Sequence, residues 1–478
     1  AYVAGINAYL AYLQKNEEQY PEEFRIFSYT PLVWDVLDLV RMRAEATGNT
    51  QAEIRRARLA AQDALAYDAL IMPLRPAHPL TVPDGLDVQA VTEQDLGLFG
   101  VLQDGPPLSG LHTPPSRTEG DHRRANEGSN AWVIAPTRTA TGRPVLANDP
   151  HLSFGSPGPR HVIHLTAPGL DVIGGGAPGM PGVMQGHNAH FAFGRTNFHI
   201  DQEDLFILRT HPDHPDRYFH NGRWAEMETE ETTIAVRGGP AQRVRLRYAA
   251  QGPVVSVDGA RNRAVAVSAT WLYPGANGML ANIGINLASD WASFRKALKL
   301  HTSPTNFTYA DTAGNIGWQA AGGLPERRNG YDGLLPAPGD GRYDWKGLQP
   351  LDALPNSFNP ACGWFGTSNE LNLPADYPYA ERCVSYEWKD PYRYQRVAEV
   401  LQASPRATLA QSVALQHDTL SHLALSVVQF LPDVPAHLAS EATLLRRWDG
   451  HVEAASAGAA LYEAVSYTHL TLPTICSV

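Results

Sequence analysis

Glu127-Gly128-Ser129-Asn130-Ala131-Trp132-Val133-Ile134 is the stretch at which this chain changes character. Ahead of it, residues 76–128 are rich in proline, glycine and charge, ending in QDGPPLSGLHTPPSRTEGDHRRANEG without sustained period, as a linker or an excised spacer reads. Behind it come short β runs separated by Gly, Pro and Asn: AWVIAP, RPVLAND, HVIHLTA, LDVIGGG, HFAFGRT and DLFILRT. Further strands are expected at TTIAVR, QRVRLRYA, PVVSVDG and RAVAVSATW, with a helix at about 289–300 and helices again over 391–463. From Tyr2 to about Arg75 apolar residues recur at three- and four-residue spacing, as in Val33, Val36, Leu37, Val40 and Met42, which predicts a helical lobe. Strands in the middle, helices around them and no βαβ alternation predict an α+β fold of stacked sheets covered by helices.

The bulk properties agree with a large globular protein. At 478 residues the chain exceeds the size of one ordinary core, so several lobes, or two subunits from one precursor, are expected. A net charge of −11, spread without long runs, argues against nucleic acid as a partner, and no apolar run is long enough for a membrane span. Cys362, Cys383 and Cys476 show no zinc spacing, although Cys362 and Cys383 are free to pair in an oxidising compartment. The opening AYVAGINAYL reads as the middle of a helix of a longer precursor, truncated at its start. The closing SYTHLTLPTICSV, 466–478, is atypical of the rest, as a truncation artefact would be.

A serine hydroxyl is a poor nucleophile until a base takes its proton. That base is either a histidine or, at a chain terminus, the residue's own α-amine, whose ordinary pKa of about 7.7–8 suits the task. No G-x-S-x-G elbow is present; the nearest approach, GSPG at 155–158, lacks the strand-turn-helix context. Gly128 offers an unhindered carbonyl to the Ser129 hydroxyl, so an N→O acyl shift and hydrolysis there would free the serine amine. By itself, a Gly-Ser before a strand is an ordinary turn.

What lifts Ser129 above a turn is an ordered set of longer motifs: GSNAWVIAPTRTATGRPVLANDPHL (128–152), PGMPGVMQGHNAHFAFGRTNFHIDQEDLFI (178–207), NFTYADTAGNIGWQAAGGLPER (306–327), DWKGLQP (344–350), GWFGTSNE (363–370), DPYRYQRV (390–397) and RRWDG (446–450). Together they resemble the penicillin acylase family of N-terminal nucleophile hydrolases, which also holds acyl-homoserine lactone, cephalosporin and aculeacin acylases. The resemblance implies a four-layer αββα core over 129–465, a helical α-chain portion over 1–100 and a spacer over 101–128 that is removed. It implies autocleavage between Gly128 and Ser129, an α/β heterodimer, a small N-acyl amide substrate and a periplasmic or secreted location.

The same resemblance carries roles to single residues. Ser129 becomes nucleophile and, through its freed amine, general base; Asn369 donates to the oxyanion from its side chain. A second oxyanion donor is the backbone N–H of Asn197 or its neighbour Phe198, with Phe193 standing where tryptophan is usual. His151 steers the Ser129 amine or accepts from the scissile amide, and Arg393 orients Asn369. Many members show a second asparagine where this chain has Glu370. Asp201 and Asp204, a main-chain carbonyl near Glu203, and Glu53 from the helical lobe match the holders of a structural calcium, with Glu381 near a further ligand position. Calcium takes six to eight oxygens, so these residues alone do not make a complete shell.

Two rivals were weighed on the same residues. The histidines His151, His161, His164, His187 and His190 are spaced so that neighbours three apart on a strand face opposite sides, which disfavours a metallohydrolase. A non-catalytic, unprocessed binding relative on the same fold is opposed by the intact Ser129, Asn369 and Arg393.

Overall fold

The computed structural model describes residues 1–41, 48–97, 99, 128–152, 158–276 and 278–466. The expected spacer, apart from Gly128, and the tail from 467 onward lie outside the described residues. Element counts below refer to the described residues.

The first lobe is helical where the periodicity predicts it, in Tyr2–Leu13, Glu22–Ile26, Val36–Arg41, Thr50–Ala61 and Asp68–Ile71. Val33 precedes the helix Val36–Arg41, and Val33, Val36 and Leu37 are 68, 66 and 55% exposed. Periodicity specifies that a helix has an apolar face, not that anything covers it.

The strand Gly128–Ile134 lies at the centre of a three-stranded antiparallel sheet, between Val145–His151 and Trp364–Thr367. Its alternation explains the layers, because successive side chains point to opposite faces. Trp132 and Ile134 pack outward with Val397, Leu401 and Leu415 of the helices Tyr392–Ala403 and Leu409–Gln416. Val133 packs inward with Ala310 and Ile316 of a second, seven-stranded sheet. That sheet runs in the order Asn356–Phe358, Ile316–Ala321, Thr305–Asp311, Phe191–Asn197, Gln185–Asn188, Leu170–Gly176, His161–Ala167. Its far face is covered by Ala281–Leu287 and Trp291–Leu298, through Ile285, Phe294 and Leu298 against Phe191, Phe307 and Tyr309. Helix, sheet, sheet, helix is the αββα order expected from the sequence.

The remaining long strands do not join that stack. Glu228–Ile234, Gln242–Ala249, Gly252–Asp258, Arg263–Ala269, Glu203–His211, His214–His220 and Arg223–Glu226, with Ala337–Pro338, form an eight-stranded sheet of their own. The helix Thr50–Ala61 packs on it through Ile54 and Ala57 against Leu205, Val265 and Val267. Arg56 fastens the same helix further, donating to Asp68 at 2.8 Å, to Glu387 at 2.6 Å and to the Leu334 carbonyl at 3.3 Å, all from a fully buried position. Cys362 and Cys383 are both free thiols, and burial pushes the Cys383 thiol up to about 12. The disulfide left open by the sequence does not form.

Candidate active site

Ser129 is the second residue of the central strand and is 6% exposed. By parity it shares a face with Val133 and so looks into the space between the sheets, whereas Asn130 looks toward the helices. Two neighbours hold it. The Ser129 N–H donates to Asn369 Oδ1 at 2.8 Å. Arg393 Nη1 donates to the Ser129 carbonyl at 2.8 Å, and its Nη2 donates to Asn369 Oδ1 at 2.9 Å. Asn369 in turn donates from Nδ2 to the Asn197 carbonyl at 2.9 Å. Ser129, Asn369, Asn197 and Arg393, drawn from four distant stretches of chain, therefore meet at one place.

Local backbone explains why each residue arrives there. Asn369 follows the strand Trp364–Thr367 with φ of +71°, a left-handed conformation that asparagine tolerates better than most residues. Arg393 is the second residue of the helix Tyr392–Ala403, close enough to the strand end for its side chain to reach across. The Phe198 N–H is spent on the Pro304 carbonyl at 3.2 Å. Hydrogen bonding alternates along an antiparallel pair, so Asn197, opposite Thr305, turns its N–H away from that strand. Of the two backbone donors proposed from the sequence, Asn197 is the one not spent on that strand.

His151 pairs in register with Gly128, the neighbour of Ser129, and its ring lies on the Asn130 face of the sheet. Its Nε2 lies 2.7 Å from Asp149 Oδ2 and 3.4 Å from Asn130 Nδ2. Glu370, beside Asn369, accepts the Ser368 N–H at 2.6 Å, and burial pushes its carboxyl up to about 7 against the pull of that bond and of Arg393.

Glu53, Asp201, Glu203 and Asp204 do come together, each 6% exposed or less. Arg327 sits among them, donating from Nε and Nη2 to the two oxygens of Asp204 at 2.8 and 2.9 Å and lying 2.9 Å from Asp201 Oδ2. Trp345 Nε1 also donates to Asp204, and Trp271 Nε1 donates to Glu203 at 2.8 Å. Burial, then the neighbouring carboxylates, raise Glu53 well above the usual range; burial does the same to Asp201 against the attraction of Arg327. Four carboxylates thus face one guanidinium, and Glu53 Oε1, Asp201 Oδ1 and Glu203 Oε2 are buried without a hydrogen-bond partner. Hard, unpartnered oxygens in this number fit calcium by chemistry, although no group of three ligands stands ready-made for a metal among the described residues. Glu381 lines, with Arg327, Tyr331 and Cys383, a cavity of about 450 Å³.

The profile of the family described as penicillin amidase matches residues 1–472. The chain belongs to the penicillin amidase family. It is 27% identical to a penicillin G acylase of Escherichia coli over 94% of this chain and 59% of that protein. It is 28% identical to the acyl-homoserine lactone acylase QuiP of Pseudomonas syringae pv. tomato, over 97% of this chain and 57% of the relative. A third relative, the penicillin acylase 2 proenzyme of Pseudomonas sp. strain SE83, is 29% identical over 97% and 59%. Among solved structures, a thermostable penicillin G acylase from Alcaligenes faecalis superposes with a TM-score of 0.60 at 26% identity, over 67% of this chain and 59% of that one. The chain spans somewhat more than half the length of these relatives.

Within this penicillin amidase fold, three contributors were not singled out by sequence reasoning: Asn130, Asp149 and Arg327. Each has a sequence signal only in hindsight, as the polar residues of GSNAW, LANDPHL and GGLPER. No helix among the described residues is long and apolar enough to cross a membrane.

Proposed function

We propose that this chain is the core of a self-processing amidohydrolase in which Ser129, once freed from Gly128, is nucleophile and base together. The observation that carries the reading is the Ser129 N–H held at 2.8 Å by Asn369 Oδ1, with Asn369 Nδ2 beside the Asn197 backbone. In processing, Ser129 Oγ attacks the Gly128 carbonyl carbon, the C–N bond breaks as the acyl group passes to oxygen, and water hydrolyses the ester. The products are a Gly128 carboxylate and a Ser129 amine.

In turnover that amine takes the Oγ proton as Oγ attacks the substrate amide. The tetrahedral oxyanion is received by the Asn197 N–H and by the second hydrogen of Asn369 Nδ2, since a side-chain amide carries two. The amine returns its proton to the leaving nitrogen, and water then releases the acid from the acyl-enzyme by the same route. The names of the relatives support N-acyl amides of the penicillin or acyl-homoserine lactone kind as substrate class. Glu53 and Arg56 bind the helical lobe to the rest, which supports an α/β heterodimer after cleavage. Asp201, Glu203, Asp204 and Glu53 are the residues that would hold a calcium, whose role is to neutralise buried charge. A periplasmic or secreted site of action is in keeping with this reading.

The test is direct. Full-length protein should run as two bands, one of them starting at Ser129 on N-terminal sequencing, and should release acid from one of phenylacetyl, long-chain acyl-lactone or glutaryl amides. Ser129→Ala should stay uncut and inert. An uncut wild type that hydrolyses these amides, or a wild type that binds them without hydrolysis, would overturn the reading.

A further inference from the structure

Behind the nucleophile, on the helix side of the central strand, lies a chain of hydrogen bonds that the mechanism above does not use. Asp149 Oδ2 accepts from Asn130 Nδ2 at 3.1 Å and lies 2.7 Å from His151 Nε2, while its Oδ1 accepts from Gln416 Nε2 at 3.3 Å. Asn130 Oδ1 accepts from Arg393 Nη1 at 2.7 Å, and the same nitrogen donates to the Ser129 carbonyl at 2.8 Å. Arg393 Nη2 completes the path to Asn369 Oδ1 at 2.9 Å, the acceptor of the Ser129 N–H.

The chemistry of the first link sets the others. An ionised carboxylate only accepts hydrogen bonds, so Asn130 must turn its NH₂ toward Asp149. That leaves only its carbonyl oxygen for Arg393, and a guanidinium only donates. Asp149 thereby fixes which way the Asn130 amide points, and the amide fixes the plane of Arg393. Without that acceptor, Arg393 keeps a long flexible stem and loses one of the three oxygens that hold its head. Asp149 also supplies negative charge that Arg393 feels across the same path.

We propose that Asp149 is a positioning residue, acting through Asn130 and Arg393 to hold Asn369 and the Ser129 backbone in register for attack. The proposal rests on Ser129 being the nucleophile. His151, the residue for which the sequence suggested a part next to the serine, also touches this network through Asp149.

The experiment is a double-mutant cycle with a structural arm, on the full-length protein. Asp149→Ala and Asn130→Ala should each lower kcat roughly 10- to 100-fold, the scale of a small misplacement of reacting groups, with KM within about twofold. The double variant should fall little further than either single one, because both cut the same path. A crystal structure of Asp149→Ala should show Arg393 displaced from the Ser129 carbonyl and from Asn369. Additive losses in the cycle, a change confined to KM, or an Arg393 that stays in place would each overturn the proposal. If the wild type hydrolyses none of the amides and matches Ser129→Ala, the nucleophile reading fails by itself, and the position of Arg393 in the crystal structure still decides whether Asp149 holds it.

Discussion

Asn369 and Ser129 are 240 residues apart in sequence, yet Asn369 Oδ1 accepts the Ser129 N–H at 2.8 Å while its Nδ2 donates to the Asn197 carbonyl at 2.9 Å. One side chain thus holds the Ser129 backbone with its oxygen and, in the proposed mechanism, offers its nitrogen to the oxyanion. Replacing it removes both roles together. Asn369→Ala should lower kcat by about 10²–10³-fold, the cost of one oxyanion donor, in protein that still folds by circular dichroism. A variant with kcat within threefold of wild type would exclude Asn369 from the reaction.

Gly128 is close-packed rather than merely flexible. A Cβ built on it would lie 2.7 Å from Arg393 Nη2 and 3.2 Å from Asn369 Oδ1. The first distance is below any ordinary contact, so Gly128→Ala must push aside the side chains that hold Ser129. Processing of Gly128→Ala should be slower than wild type by at least tenfold on a time-resolved gel; equal rates would show that the contact is relieved without cost.

Arg327 bridges Asp204 and Asp201 from a buried position. Arg327→Met would leave those carboxylates, with Glu53, facing one another without their cation. Breaking a buried pair of this kind costs about 3–5 kcal/mol. The melting midpoint should drop by many degrees, and a chelator should lower it further if calcium shares the charge. An Arg327→Met protein melting with the wild type would show that the cluster is neutral.

Glu370 gives a pH signature. Burial raises its pKa from the ordinary 4.5 to about 7, so the folded protein binds this proton more tightly than the unfolded chain does. Its contribution to stability is complete below pH 4.5 and is lost as pH rises to about 7. Glu370→Gln cannot ionise. Relative to wild type it should gain stability between those two pH values, by up to roughly 3 kcal/mol for a shift of this size, and hold a constant difference above. A difference in melting midpoint that does not vary across the window would refute the assignment.

How much of this was readable beforehand divides by the range of the interaction. Period-two and period-three-to-four patterns are local, and they placed strands such as His161–Ala167 and helices such as Thr50–Ala61. Ordered motifs supplied Ser129, Asn369, Asn197 and Arg393. The partners of His151 were not readable because its distance along the chain from Ser129 says nothing about parity across a strand pair, and its register with Gly128 sets its ring on the Asn130 face. Arg327 was missed because its partners, Asp201 and Asp204, lie more than a hundred residues away.

By itself, then, the sequence determined that sheet begins at Ser129, that the layers are α+β, and which family's motifs the chain carries. Only the tertiary structure decided which of the two backbone N–H groups is already spent, since Phe198 donates to Pro304. Only it decided what stands behind the nucleophile. Side-chain direction, hydrogen-bond polarity and shared burial are properties of pairs of residues brought together by folding, and the one-dimensional pattern records the residues without recording the pairs.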